Sequence, residues 1–207
     1  HHTHSKFMCL VGFECLLEMH EAEGLAAPVE RFSSCRDAIR DWMEECAWND
    51  RLGAYASHED AETLDAAALQ MINLGGLEIL PRERLESTLN RILEDLGDGP
   101  LIKRYTRLED GLPGEEGAFV ICSFWGVEAL ARLGRIDEAI ERFDALCAHT
   151  NDVGLLAEEI DPATGEALGN TPQAFSHVGL INAAIAIDRA RRDRYESVRE
   201  AEWSASA

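Results

Sequence analysis

The chain has 207 residues, 46% of them hydrophobic, enough to bury a sizeable core within one large domain. Its formal net charge of -20 excludes a nucleic-acid backbone or an anionic membrane surface as partner, because phosphate must be met by clustered Lys and Arg and no such cluster occurs. Lysine stands only at Lys6 and Lys103, and the acid excess is compatible either with a high-salt cytoplasm, where screening relieves self-repulsion, or with an acidic surface that keeps the chain soluble.

Seven helices and no convincing strand are predicted in chain order, over residues 3–20, 28–47, 62–74, 82–96, 117–133, 136–149 and 172–196. The opening "HHTHSKFMCL" has no signal-peptide pattern and enters the first helix almost at once without an initiator Met. A chain that begins partway into a longer protein is therefore expected. Glycines at Gly24, Gly75, Gly76, Gly97 and Gly134 close helices, and Pro28, Pro81 and Pro172 stand at or just before helix starts. The first, third, fifth and seventh helices are apolar on several faces, as in "GAFVICSFWGVEAL" and "SHVGLINAAIAI". The second, fourth and sixth, such as "RIDEAIERFDAL", carry one apolar stripe and a charged back. Odd helices should then be inner and even ones outer.

Connections alternate as well. Those after the inner helices are short, whereas segments 48–61, 97–116 and 150–171 are long. Successive antiparallel helices put alternate connections at opposite ends, so the three long loops should emerge at one end, where loops of this length usually bind or cut something. No charge-free run is long enough for a membrane span. The cysteines Cys9, Cys15, Cys35, Cys46, Cys122 and Cys147 have neither zinc nor redox spacing and mostly sit in apolar helical patterns. They read as reduced core residues, which points to the cytoplasm.

Candidate site residues follow from the loop face. Glu158 and Glu159, in "GLLAEEIDPATGEALGN", are either two solvated acids or, if the apolar Leu155-Leu156 pair pulls the loop toward the core, carboxylates with proton-transfer work. Arg104 and Tyr105, in "LIKRYTR", read as a surface strand or as a guanidinium fork and phenol that hold sugar hydroxyls. Glu115 and Glu116 precede a helix, where acids are favoured whatever the function, and Glu116 is the nearer to the core. His177, one turn into the last helix, is either a satisfied core histidine or a wall of the site. His1, His2 and His4 lack a companion ligand set, so no metal is expected, and no cofactor motif of the P-loop or dinucleotide type is present.

The run "DGLPGEEGAFVICSFWGVEALARLGRIDEAIERFDALCAHTNDVGLLAEEIDPATGEALGNTPQAFSHVGLINAA" closely resembles the C-terminal part of glycoside hydrolase family 15, the glucoamylases, glucodextranases and bacterial-type trehalases. "HTHSKFMC", "APVERFSSCRDAIRD" and "LDAAALQMI" fit the same family in register. The resemblance implies an all-α fold, an (α/α)6 barrel or six-hairpin toroid, of which this chain carries an incomplete set of about seven of twelve helices. It implies an inverting hydrolase of α-glucosidic bonds in α-glucan oligosaccharides or trehalose, needing no cofactor. Glu158, first of the Glu-Glu pair, matches the family's general base, and Arg104 and Tyr105 match an Arg-Tyr that contacts glucose. The family's general acid lies in a Trp-Glu motif upstream of the helix that begins "HHTHSK", so the chain alone is expected to be inactive. A homo-oligomer, or docking of the missing half through an exposed flank, is expected.

A second reading, a binding scaffold, rests on "ARLGRIDEAIERFDAL", which looks like a tetratricopeptide helix pair. No second copy recurs at the period such repeats require.

Overall fold

The computed structural model describes residues 1–105 and 117–205, with side chains through 197. The chain divides into two compact units, His1–Asp95 with Tyr105, and Leu96–Arg104 with the residues from 117 onward.

In the first unit, α1 (Thr3–Glu23) ends where Gly24 takes a left-handed φ of 67° and its N–H caps the His20 carbonyl. The following α2 (Val29–Trp42) packs back on α1, with the Phe13 and Phe32 rings 5.6 Å apart. A π-helical turn, Met43–Ala47, leads into the antiparallel pair β1 (Trp48–Asn49) and β2 (Ala54–Tyr55). A short 3-10 turn, Ala66–Leu69, starts where the Asp65 carboxylate accepts the Ala67 N–H at 2.8 Å. It continues through α3 (Gln70–Asn73), α4 (Gly76–Ile79) and α5 (Arg82–Asp95). The Tyr55 N–H donates to Thr88 Oγ1 at 3.0 Å, tying β2 to α5. Burial pushes the Tyr55 phenol up to about 12, against the pull of the Arg84 guanidinium beside it.

The second unit opens with the hairpin β3 (Gly97–Asp98) and β4 (Leu101–Ile102). Next come β5 (Ala118–Phe119), α6 (Val120–Arg132), α7 (Ile136–Cys147), β6 (Glu159–Ile160), β7 (Ala167–Leu168) and α8 (Ala174–Ala205). Helix α6 is the core of the unit and is buried nearly all round, with Phe124, Val127, Ala129 and Leu130 fully enclosed. Glycine at 179 lets α8 pack close to it, since a Cβ there would lie 3.1 Å from the Phe124 Cβ. By contrast α7 buries one stripe, Ile136, Ala139 and Leu146, and keeps its charged back in water. Strands β5, β6 and β7 form an antiparallel sheet with β6 in the middle.

Several expectations change. Seven two-residue strands occur among the described residues where none was predicted, six of them in the long loops and β5 at the start of the predicted 117–133 helix. A strand this short shows no alternation to read; it exists because two loop stems meet. The predicted 117–133 helix begins at Val120, because 118–119 are spent on β5, and the predicted 62–74 helix begins at Ala66, behind the Asp65 cap. The last helix continues past 196 to Ala205. All six thiols are free, yet only Cys122 is buried, while Cys9 and Cys15 are exposed. Their apolar neighbours on α1 face water as well: that helix buries only Thr3, Phe7, Leu10 and Leu17, and leaves Met8 and Met19 exposed. On α8 the apolar stripe Phe175, Val178, Ile181 and Ile185 is likewise exposed, at 66%, 50%, 53% and 45%. The apolar faces of α1 and α8 are thus only partly buried among the described residues, whereas they were expected to be packed on several sides.

Candidate active site

The site grows from one hairpin. Asp161 and Pro162 start a tight turn that Gly165 closes with a left-handed φ of 76°. The Asp161 carboxylate accepts the Ala163 N–H and the Thr164 hydroxyl, both at 2.8 Å. Those hydrogen bonds, aided more weakly by the charge of Lys103, hold its pKa below the usual aspartate value. The turn sets the register of β6 on β7, with Glu159 opposite Leu168.

That register brings Asn170 to Glu158. The Glu158 N–H donates to the Asn170 carbonyl at 2.9 Å. Its side-chain Oε2 accepts two hydrogen bonds, from the Asn170 N–H at 3.1 Å and the Asn170 Nδ2 at 2.8 Å. Among the described residues no hydrogen bond reaches Oε1. One carboxylate oxygen is therefore anchored by a two-donor clamp, and the other keeps its lone pairs for a ligand or water.

Neighbouring residues in extended chain face opposite sides, so Glu159 turns away from Glu158. Its Oε2 accepts the Gly117 N–H at 3.1 Å. Burial raises the Glu159 pKa, the Gly117 hydrogen bond opposes that rise, and the Glu158 charge adds to it. Each carboxylate lies against a glycine. A Cβ at Gly117 would come within 2.7 Å of the Glu159 carboxylate, and one at Gly169 within 2.8 Å of Glu158 Oε2.

Gly169 also has a φ of 69°, so a side chain there meets strain as well as a clash. Gly165→Ala is the control, since φ is 76° there and the space around its Cβ is open. Both alanine variants should lose about 1–2 kcal/mol of stability through left-handed strain. Only Gly169→Ala should also lower turnover, on the order of 10²-fold, by pushing the Glu158 carboxylate aside. Parallel melting curves and initial rates check this, and equal rates for the two variants would count against it.

Upstream of Glu158, the "GLLA" segment does dip into the core: Leu156 is fully buried and Ala157 nearly so. His177, in the first turn of α8, lies against this segment. Its Nε2 receives the Leu156 N–H at 3.3 Å and its Nδ1 lies 2.7 Å from the Gln173 carbonyl. Both ring nitrogens are engaged by backbone, and the side chain is half-buried.

Arg104 follows β4, which abuts β5 and α6. It belongs to the second unit, and Tyr105 to the first. Lys103 acts on Asp161, so the stems of the second and third long loops are neighbours within the second unit. Glu115 and Glu116 lie outside the described residues. Asn170 and Gly169 went unnoticed in the sequence. The only available cue was the Asp-Pro and Thr-Gly turn, which implies a hairpin and hence partners for Glu158 across it. Among the described residues no group of three His, Cys, Asp or Glu side chains could hold a metal ion, and no helix is long and apolar enough to cross a membrane.

Solved glycosidases share this fold. A glycosidase variant in complex with glucose superimposes with a TM-score of 0.77 at 16% identity, covering 91% of this chain and 52% of its own. The glucoamylase of Saccharomycopsis fibuligera gives a TM-score of 0.73 at 12% identity over 92% of this chain and 56% of its own. The fold is thus that of the helical glycosidases, mostly α and consistent with a helical toroid.

Within that class the chain belongs to glycosyl hydrolases family 15, which it matches over residues 1–185. The trehalase of Thermoplasma volcanium is 34% identical over 198 residues, 95% of this chain and 32% of that protein. The trehalase of Mycobacterium tuberculosis is 34% identical over 197 residues, 93% of this chain and 28% of that protein. The chain spans about a third of the length of these curated relatives. Family membership also removes the tetratricopeptide reading of the α6–α7 pair.

Proposed function

We propose that this chain supplies the general base and part of the glucose-binding face of an inverting glycoside hydrolase, with trehalose as the favoured α-glucoside. The observation that carries this reading is the Glu158 carboxylate, clamped at Oε2 by Asn170 and open at Oε1. The names of the curated relatives favour trehalose. Glu158 Oε1 takes a proton from water while the water oxygen attacks the anomeric carbon. The glycosidic C–O bond breaks on the opposite face, and a second carboxyl protonates the departing oxygen. Inversion requires the two carboxyls roughly 6.5–9.5 Å apart. In the family the second is the Trp-Glu acid, for which this sequence has no match. A water nucleophile and two carboxyls need no cofactor.

Glu159 holds the chain next to residue 116 through the Gly117 N–H, and Glu116 would line the glucose site. Arg104 and Tyr105 would grip glucose hydroxyls. The exposed α8 stripe would receive the remaining helices of an (α/α)6 domain. Six free thiols fit a reducing cytoplasm.

Replacing Arg104 by Lys keeps the charge and loses the planar fork, so glucose-like inhibitors should bind more weakly by about 1–3 kcal/mol. Calorimetric titration of the full-length enzyme with such an inhibitor tests this. Unchanged affinity would return Arg104 to a surface role.

A further inference from the structure

The two residues ahead of Glu158 are tied to the start of α8 by three separate polar contacts. The Gln173 N–H donates to the Leu156 carbonyl at 2.9 Å. The buried Ser176 hydroxyl donates to the Ala157 carbonyl at 2.7 Å. The Leu156 N–H donates to His177 Nε2 at 3.3 Å. A backbone N–H can only donate and a carbonyl can only accept, so in this pair of contacts Nε2 is the acceptor toward Leu156 and Nδ1 the donor toward Gln173.

The imidazole is therefore a strut. It leans on its own helix through Nδ1–H and presents an acceptor to the loop through Nε2. Together with Gln173 it engages both polar groups of Leu156, so the backbone there cannot rotate without losing a hydrogen bond. Burial of the Leu156 side chain sets how deep the loop sits. Only the polar contacts set its rotation, and the direction of the Glu158 side chain inherits that rotation two residues on.

We infer that His177 is a positioning residue for the reaction: through the Leu156 N–H it orients the segment that carries the base, and it does not touch the sugar. This rests on the reading of Glu158 as the base. A carboxylate displaced by about 1 Å from its water can lose on the order of 10²-fold in rate, so a loosened strut should appear in turnover and not in substrate affinity.

Side-chain geometry separates this from a merely structural role. In His177→Gln the amide oxygen falls near the position of Nε2 and can still accept the Leu156 N–H. His177→Asn reaches only as far as Nδ1, and His177→Leu offers no acceptor. The experiment uses the full-length enzyme, with each variant made in the parent and in a Glu158→Gln background. Readouts are kcat and KM on trehalose or maltose, whichever the parent hydrolyses, and melting temperature.

In the parent, His177→Leu and His177→Asn should lower kcat on the order of 10- to 10²-fold with KM within about threefold, and His177→Gln should recover most of the loss. In the Glu158→Gln background the same changes should cost no further rate, because the group being positioned is already disabled. Equal kcat for the Gln and Asn variants would overturn the inference, even if the Leu variant fails to fold. So would a loss confined to KM, or a full additional loss in the Glu158→Gln background. A Glu158→Gln enzyme as fast as the parent would overturn the base reading itself, and this inference with it.

Discussion

Glu158→Gln in the full-length enzyme is expected to lower turnover of trehalose by on the order of 10²–10⁴-fold with little change in stability. Glutamine keeps the length and shape of the side chain, and its amide oxygen can still accept both Asn170 donors at the Oε2 position. What it removes is the second oxygen, the one that takes a proton from water in the proposed reaction. The amide nitrogen placed there donates instead of accepting. Glu159→Gln should cost less, because its amide oxygen still accepts the Gly117 N–H and the side chain faces the other side of β6. Steady-state rates of the two variants, measured with melting temperatures, separate base from neighbour. A Glu158→Gln enzyme at parental rate, or a larger loss for Glu159→Gln, would reverse the assignment.

The 207-residue chain by itself is expected to release no glucose from trehalose or maltose, at low or high salt and at high protein concentration. Departure of an unactivated sugar oxygen needs a proton, and a neutral carboxyl must be held on the side opposite the base. Three carboxyls among the described residues are already engaged. Asp65 accepts the Ala67 N–H at a helical start, Glu159 accepts the Gly117 N–H, and Asp161 holds its own turn. Addition of a polypeptide carrying the family's Trp-Glu loop should restore turnover if it docks. Steady glucose release by the chain alone, abolished by Glu116→Gln, would show that the acid lies within these residues after all.

Much of the helical frame was legible because burial repeats with the helical period. The all-round apolarity of "VICSFWGVEALA" reflects a helix enclosed on nearly every side, and the single stripe of "IDEAIERFDALC" one that faces water. The same signal overstated the burial of α1, whose cysteines and methionines are exposed. Composition reports which faces a helix could bury, and only a partner decides which it does.

Sequence by itself determined most of the helices and the family, and it singled out Glu158 as the proposed base, because periodicity, helix caps and the Glu-Glu pair are local properties of adjacent residues. The orientation of that base was decided only in three dimensions. Asn170 lies twelve residues from Glu158, and His177 twenty-one from Leu156. Neither separation carries a local signature. The hydrogen bonds that aim the carboxylate exist because a hairpin register and the docking of one helix turn bring those atoms within reach, and register and docking are settled by the packing of the whole unit.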